Sequence, residues 1–219
     1  MLSSALELLR SLTDPERLIH LLTTALNGWL SYAFLFTVVF AETGLLVGFF
    51  LPGDSLLFTI GVVTGAGQLD ISLILTLLVT ASILGDQCGY FLGYRTGPRI
   101  FSRPNSRLFK QEYIQRTHAF YERHGGKTLI YAKFVPIIRT FAPFIAGVGR
   151  MRYRRFLSFN VFGGLGWVML MVLGGHNLGG IPFIRRNFDK VVLLIVLISV
   201  APMLIQILRS RVKTRPSVV

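Results

Sequence analysis

From Leu18 to Tyr94 the chain carries neither lysine nor arginine, although 23 of its 219 residues are basic. Only Arg10 and Arg17 precede that stretch, and every other cation follows it. A water-soluble domain spreads ionic groups over its whole length, whereas bilayer-embedded segments exclude them. Composition agrees, with 52% hydrophobic residues, 15% charged residues and a mean hydropathy of +0.59. The net charge of +13 could suit nucleic acid. However, the cations gather in short stretches between apolar segments, and the aromatic residues lie inside the apolar runs. That pattern fits loops facing the cytoplasm and anionic headgroups, and argues against a nucleic-acid partner.

The expected fold is an all-α polytopic membrane protein. Residues 1–28 read as two amphipathic helices, 2–12 and 17–26, separated by Thr13-Asp14-Pro15-Glu16, a helix-start signal. Both are too short to span and are expected in the interface. With Glu7 and Arg10 inside it and no basic leader, the first is not expected to be a signal peptide. Cys88, the single cysteine, offers no disulfide framework.

Residues 29–180 form the core. In 29–52 the only charged residue is Glu42, and the run breaks at Pro52-Gly53-Asp54. The return, 56–69, would cover about 21 Å as a helix, short of the roughly 30 Å hydrocarbon thickness. Residues 29–69 therefore read as a re-entrant hairpin. Residues 71–94 are long enough to span and carry Asp86. Gly85, Gly89, Gly93 and Gly97 recur every fourth residue, a strip on which another helix can pack closely. Residues 95–127 hold eight basic and two acidic residues and read as a cytoplasmic amphipathic segment. His118 and His124 lie there as solvated side chains, so no metal site is expected.

Residues 128–149 are apolar but contain Lys133, Arg139, Pro136 and Pro143. Basic clusters flank both ends, so this segment is expected to enter and leave on one side, as a second re-entrant hairpin. A span at 156–178 follows. Residues 181–219 then supply a last span, 191–208, and a basic tail expected in the cytoplasm. This count puts residues 1–28 outside. An amphipathic helix, a broken hairpin and a glycine-rich span thus occur twice in opposite orientation. Such an inverted repeat, here with about three full spans, is how many transporters build a midplane site.

The charges inside these segments are the candidate functional residues: Glu42, Asp54, Asp86, Lys133 and Arg139. Each isolated charge at a helix centre costs roughly 2.5–3.5 kcal/mol, so several left alone would cost on the order of 10 kcal/mol. They must be paired, protonated or wet. The first hairpin supplies acids and the second supplies bases, so facing hairpins could neutralise each other. Buried ion pairs stabilise less than apolar packing, which favours function over a purely structural lock. Asp54 could instead cap a helix beginning at Ser55, and Asp86 could bond neighbouring backbone. Proton-exchanging carboxylates beside a basic pair that favours phosphate suggest proton-coupled transport of an anionic, lipid-like substrate.

Several motifs together resemble the bacterial DedA family, part of the SNARE-associated or VTT-domain group. They are Glu42-Thr43-Gly44, Phe50-Leu51-Pro52-Gly53-Asp54-Ser55, Gly85-Asp86-x-x-Gly89-Tyr90, His124-Gly125-Gly126-Lys127 and the run from Phe134 through Pro136, Arg139 and Pro143. The resemblance covers residues 33–178. It implies an inner-membrane protein with two opposed re-entrant hairpins. It also implies a role in recycling undecaprenyl phosphate, in proton-motive-force homeostasis or in resistance to cationic peptides. Eukaryotic relatives of the group behave as phospholipid scramblases. The family's essential acids fall on Glu42 and Asp54, and its basic pair on Lys133 and Arg139. Pro52, Gly53, Asp86, Pro136 and Pro143 would support them. The first basic position is usually arginine; Lys133 keeps the charge without the bidentate fork.

The leading expectation is a proton-linked flippase for a polyprenyl phosphate or another anionic lipid. Glu42 and Asp54 would carry protons, and Lys133 and Arg139 would hold the phosphate. No cofactor is expected, and self-association stays open. A proton/cation antiporter would use the same acids, while a non-transporting scaffold would need them only for stability. No metal-ligand cluster and no nucleophile with a nearby base points to an enzyme.

Overall fold

The computed structural model describes residues 28–46, 53–65, 67, 69–101, 126–178 and 181. Among them the secondary structure is helical: α1 (Trp29–Gly44), α2 (Gly53–Gly65), α3 (Ile71–Phe101), α4 (Lys127–Lys133), α5 (Pro136–Val148) and α6 (Tyr153–Leu178). The helices 2–12, 17–26 and 191–208, the turn at Pro52, residues 102–125 and the tail lie outside the described residues.

Local chemistry sets several boundaries. Asp70 accepts a hydrogen bond from the Leu73 amide at 2.8 Å and so caps the start of α3. α5 opens on Pro136, whose missing amide proton costs nothing at a first helical position. The second broken segment is interrupted at Phe134 and Val135, while Pro143 lies within α5 without ending it. α2 already begins at Gly53, so Asp54 sits inside its first turn instead of preceding a helix at Ser55. α3 runs past the expected end at Tyr94 to Phe101, and α6 starts at Tyr153, ahead of the expected Phe156.

Ile71–Gly97 and Tyr153–Leu178 are long and apolar enough to cross a membrane, whereas α1, α2 and the Ile138–Val148 part of α5 are apolar but shorter. α6 turns Phe162, Leu165, Met169 and Leu170 outward, an apolar face suited to lipid. α2 is buried from Leu56 to Thr64 on every side, as expected of a helix that is apolar all round.

The packing crosses over between the two halves. α1 lies on α3 and α4 on α6, so the first arm of each broken pair packs on the long helix of its own half. The second arms exchange: α2 packs on α6, and α5 on α3. Glycine makes both exchanges possible. A Cβ at Gly61 would collide with the Val172 carbonyl and Gly175, and one at Gly93 with the Phe144 carbonyl. The strip on α3 is shared, with Gly85 facing Gly44 of α1 while Gly89, Gly93 and Gly97 face α5. The interface these contacts create is the core, with Trp167, Leu57 and Leu78 buried on one side and Ala146 and Phe156 on the other.

Gly61→Leu or Gly93→Leu should therefore cost at least the ~1–3 kcal/mol of an overpacked core. Gly166→Leu, where a new Cβ meets nothing within 4 Å, should be tolerated. Thermal unfolding of the detergent-solubilised protein separates the two outcomes.

Candidate functional site, a buried charge cluster

Five charged side chains converge inside the bundle, all nearly sealed from the surface: Glu42 1% exposed, Asp54 9%, Asp86 1%, Lys133 4% and Arg139 3%. α1 brings Glu42 near its end, α2 brings Asp54 in its first turn, and α5 brings Arg139. The Arg139 guanidinium forks between the two acids. Nη2 donates to Glu42 Oε1 at 2.5 Å, and Nη1 donates to Asp54 Oδ1 at 2.5 Å. Its five donors in a fixed plane suit a position with two carboxylates. Gly53 is required here for space, because a Cβ would overlap the Glu42 carboxylate.

Lys133, from the end of α4, turns elsewhere. Its Nζ pairs with Asp86 Oδ2 at 2.5 Å and donates to Ser82 Oγ at 3.1 Å. Ser82 and Asp86 are one turn apart on α3 and so share a face. Lys133 thus meets α3 instead of the acids of the first broken pair. A single carboxylate and a hydroxyl ask for a point charge, which accounts for lysine serving here without a guanidinium fork. Gly163 of α6 leaves room for its stem.

Trp167 joins the two pairs. Its Nε1 donates to Asp54 Oδ1 at 2.7 Å, and its ring lies 4.4 Å from the Arg139 guanidinium carbon and 5.6 Å from Lys133 Nζ. Both cations therefore rest on one aromatic surface, a favourable arrangement once they are desolvated. Below them a small cavity is lined by Asp86, Lys133, Arg139, Pro143, Phe156 and Asn160. Four buried polar atoms find no hydrogen-bond partner among the described residues: Glu42 Oε2, Asp86 Oδ1, Arg139 Nε and Asn160 Oδ1. Unsatisfied atoms of this kind are rare in folded interiors, and each calls for an explanation.

Glu42, Asp54 and Arg139 are thus brought into one triad, and Asp86 and Lys133 into a pair beside it. Asp54 binds Arg139 and Trp167, and Asp86 binds Lys133. Trp167, Ser82 and Asn160 were not anticipated from the sequence. Trp167 carried a usable signal, since it lies mid-span where tryptophan usually sits at the ends of spans. Among the described residues no group of His, Cys, Asp and Glu could hold a metal ion.

Two long apolar helices and broken shorter ones around buried charges fit a membrane protein with a polar interior. The VTT domain profile matches residues 51–177. The chain is 46% identical over 182 residues to Protein DedA of Escherichia coli K12, covering 82% of this chain and 83% of that protein. It is 45% identical over 168 residues to an uncharacterized membrane protein of Mycobacterium leprae, covering 77% and 75%. It is also 33% identical over 170 residues to inner membrane protein YghB of E. coli K12, covering 78% of each. The chain belongs to the VTT-domain (DedA) family. No solved structure matches it.

Removing Arg139 would strand two buried carboxylates, so Arg139→Ala should cost about 3–5 kcal/mol. Trp167→Phe keeps the ring and loses one hydrogen bond to a charged group, about 1.5–3 kcal/mol. Unfolding midpoints in detergent should fall in that order; an unchanged midpoint for Arg139→Ala would contradict the triad.

Proposed function

We propose that this protein is an inner-membrane transporter that moves a phosphate-bearing lipid, undecaprenyl phosphate or a related anionic lipid, between leaflets in a proton-coupled cycle. The observation that carries this reading is Arg139 forked between Glu42 and Asp54 in an apolar interior. The same fork that grips two carboxylates matches a phosphate. Carboxylates and phosphate therefore compete for one guanidinium. Protonation of Glu42 or Asp54 discharges the acid and releases Arg139, which can then take the phosphate. Departure of the phosphate restores the ion pairs as the protons leave.

The charge count favours proton coupling. The cluster holds three carboxylates and two cations, one negative charge in excess when all are ionised. A net charge in low dielectric is costly, and an arriving phosphate adds more. Each phosphate bound therefore draws protons with it. Glu42 Oε2 and Asp86 Oδ1, both without a hydrogen-bond partner among the described residues, are the oxygens on which a proton fits. In this reading the two broken helix pairs are opposed re-entrant hairpins around the site, and the bond-making is confined to proton transfer, so the protein is not an enzyme. The similarity to YghB, an inner membrane protein of E. coli, supports the location.

The same excess negative charge would also suit a proton/cation antiporter. Such a protein would collapse a pH gradient on addition of cation in liposomes without the substrate lipid.

In proteoliposomes holding a labelled polyprenyl phosphate, leaflet exchange should exceed that of empty liposomes and should respond to an imposed pH gradient. Glu42→Gln should abolish the gradient response. Exchange no faster than in empty liposomes, with folded protein, would sink the proposal.

A further inference from the structure

A second recess, aromatic with two arginines at its rim, lies where α3 meets the turn that leads into α6. It has a volume of about 400 Å³ and is lined by Tyr90, Phe91, Tyr94, Arg150, Met151, Arg152 and Tyr153. Its composition is unlike that of the buried cluster. Two arginines, both exposed, face it, and neither forms an ion pair with a carboxylate of the described residues. The Arg150 guanidinium carbon lies 5.6 Å from the centre of the Tyr94 ring. Two of the three tyrosine hydroxyls are already used, Tyr90 donating to the Met151 carbonyl at 2.5 Å and Tyr153 to Gln87 Oε1 at 2.8 Å.

The backbone also holds an unusual shape here. Arg150 has φ +51, the one non-glycine residue with positive φ among those described. A long side chain in the left-handed region carries a cost. The turn is nevertheless held by three hydrogen bonds: Gly149 N to Ile145 O, Arg150 N to Gly147 O and Met151 N to Ala146 O. The walls of the recess are fixed by ring packing. Tyr90 stacks on Phe156 with centroids 4.4 Å apart, and Phe91 lies 5.4 Å from Tyr153.

We propose that this recess is a binding site for the phosphate of an anionic lipid headgroup, separate from the buried cluster. Arg150, Arg152 and the Tyr94 hydroxyl supply positive charge and a donor, with no carboxylate of the described residues paired to either arginine. The flat faces of Phe91 and Tyr153 suit the less polar neck of a lipid, which a free anion lacks. The recess sits toward the end of the Ile71–Gly97 apolar stretch, and tyrosine and arginine are both at home near headgroups. It also shares a wall with the interior, since Phe156, which Tyr90 covers, lines the cavity beside Asp86, Lys133 and Arg139. A lipid held here would stand next to the site at which the proposed exchange occurs, yet its binding does not depend on transport.

The test is lipid retention by the full chain, read by native mass spectrometry after release from micelles containing phosphatidylcholine and phosphatidylglycerol. The wild type should retain phosphatidylglycerol. Arg150→Asn with Arg152→Gln should retain roughly thirtyfold less, two basic residues near a surface at about 1 kcal/mol each. Asparagine is chosen because it accepts the left-handed backbone. Lys127→Gln with Arg154→Gln removes equal charge from exposed positions outside the recess and should retain lipid like the wild type. Equal loss in both double variants would mean diffuse surface attraction, and undiminished retention in the first would mean no site; either overturns the proposal. Displacement of the lipid by excess inorganic phosphate would also overturn it, because the ligand would then be a free anion. Should the first variant fail to fold, Tyr94→Leu tests the same wall and should lower retention several-fold, with no change counting against the site. Retention is read without transport, so a protein that moves no lipid still answers the question.

Discussion

The fork of Arg139 between Glu42 and Asp54 is the contact on which the interior depends. It ties α1, α2 and α5 together by ion pairs of 2.5 Å in a place where any one of these charges alone would be strongly disfavoured. Because a lone partner cannot persist there, the three side chains must be kept as a set. Gly53 must stay small to let Glu42 approach, and Trp167 must supply a donor to Asp54. Replacing such a cluster by apolar residues is often neutral or stabilising. Stability alone is therefore a poor reason for a membrane protein to hold five buried charges.

The crossed packing explains how helices too short to span can present charges at depth. α2 and α5 each lean on the long helix of the other half, and glycines let the backbones close. Both arms thereby bring their polar ends to the middle of the bundle, where Trp167 floors both cations. The division of labour between the cations follows from their shapes. The planar guanidinium bridges two acids, while the ammonium of Lys133 needs only Asp86 and a hydroxyl.

Much of this was legible in the chain. Charge-free runs gave the membrane class, and Pro-Gly and Pro-rich interruptions marked both broken helix pairs. The expense of isolated buried charges singled out Glu42, Asp54, Asp86, Lys133 and Arg139. The four-residue glycine period correctly indicated close helix packing. The pairing was less accessible, because ion-pair partners are set by which helices touch. Opposite charge alone made Lys133 a companion of the acids on the first broken pair, whereas the docking of α4 directs it to Asp86. The alternative of Asp54 as a cap for a helix at Ser55 gave way for a related reason. A carboxylate offered both a guanidinium and an indole gains more from them than from backbone amides. Helix ends were misjudged at Tyr94 and Phe156, where polar and aromatic residues continue a helix beyond its apolar stretch. Asn160 and Ser82 were invisible because single small polar residues in an apolar run have many harmless uses.

The account rests on carboxylates and a lipid phosphate competing for Arg139, with protons making up the difference. The direct measurement is proton uptake when a short-chain polyprenyl phosphate binds the detergent-solubilised protein in weakly buffered solution, followed with a pH-sensitive dye. Competition predicts net proton uptake with each phosphate bound, and loss of most of that uptake in Glu42→Gln. Saturable binding with no protons taken up would contradict it.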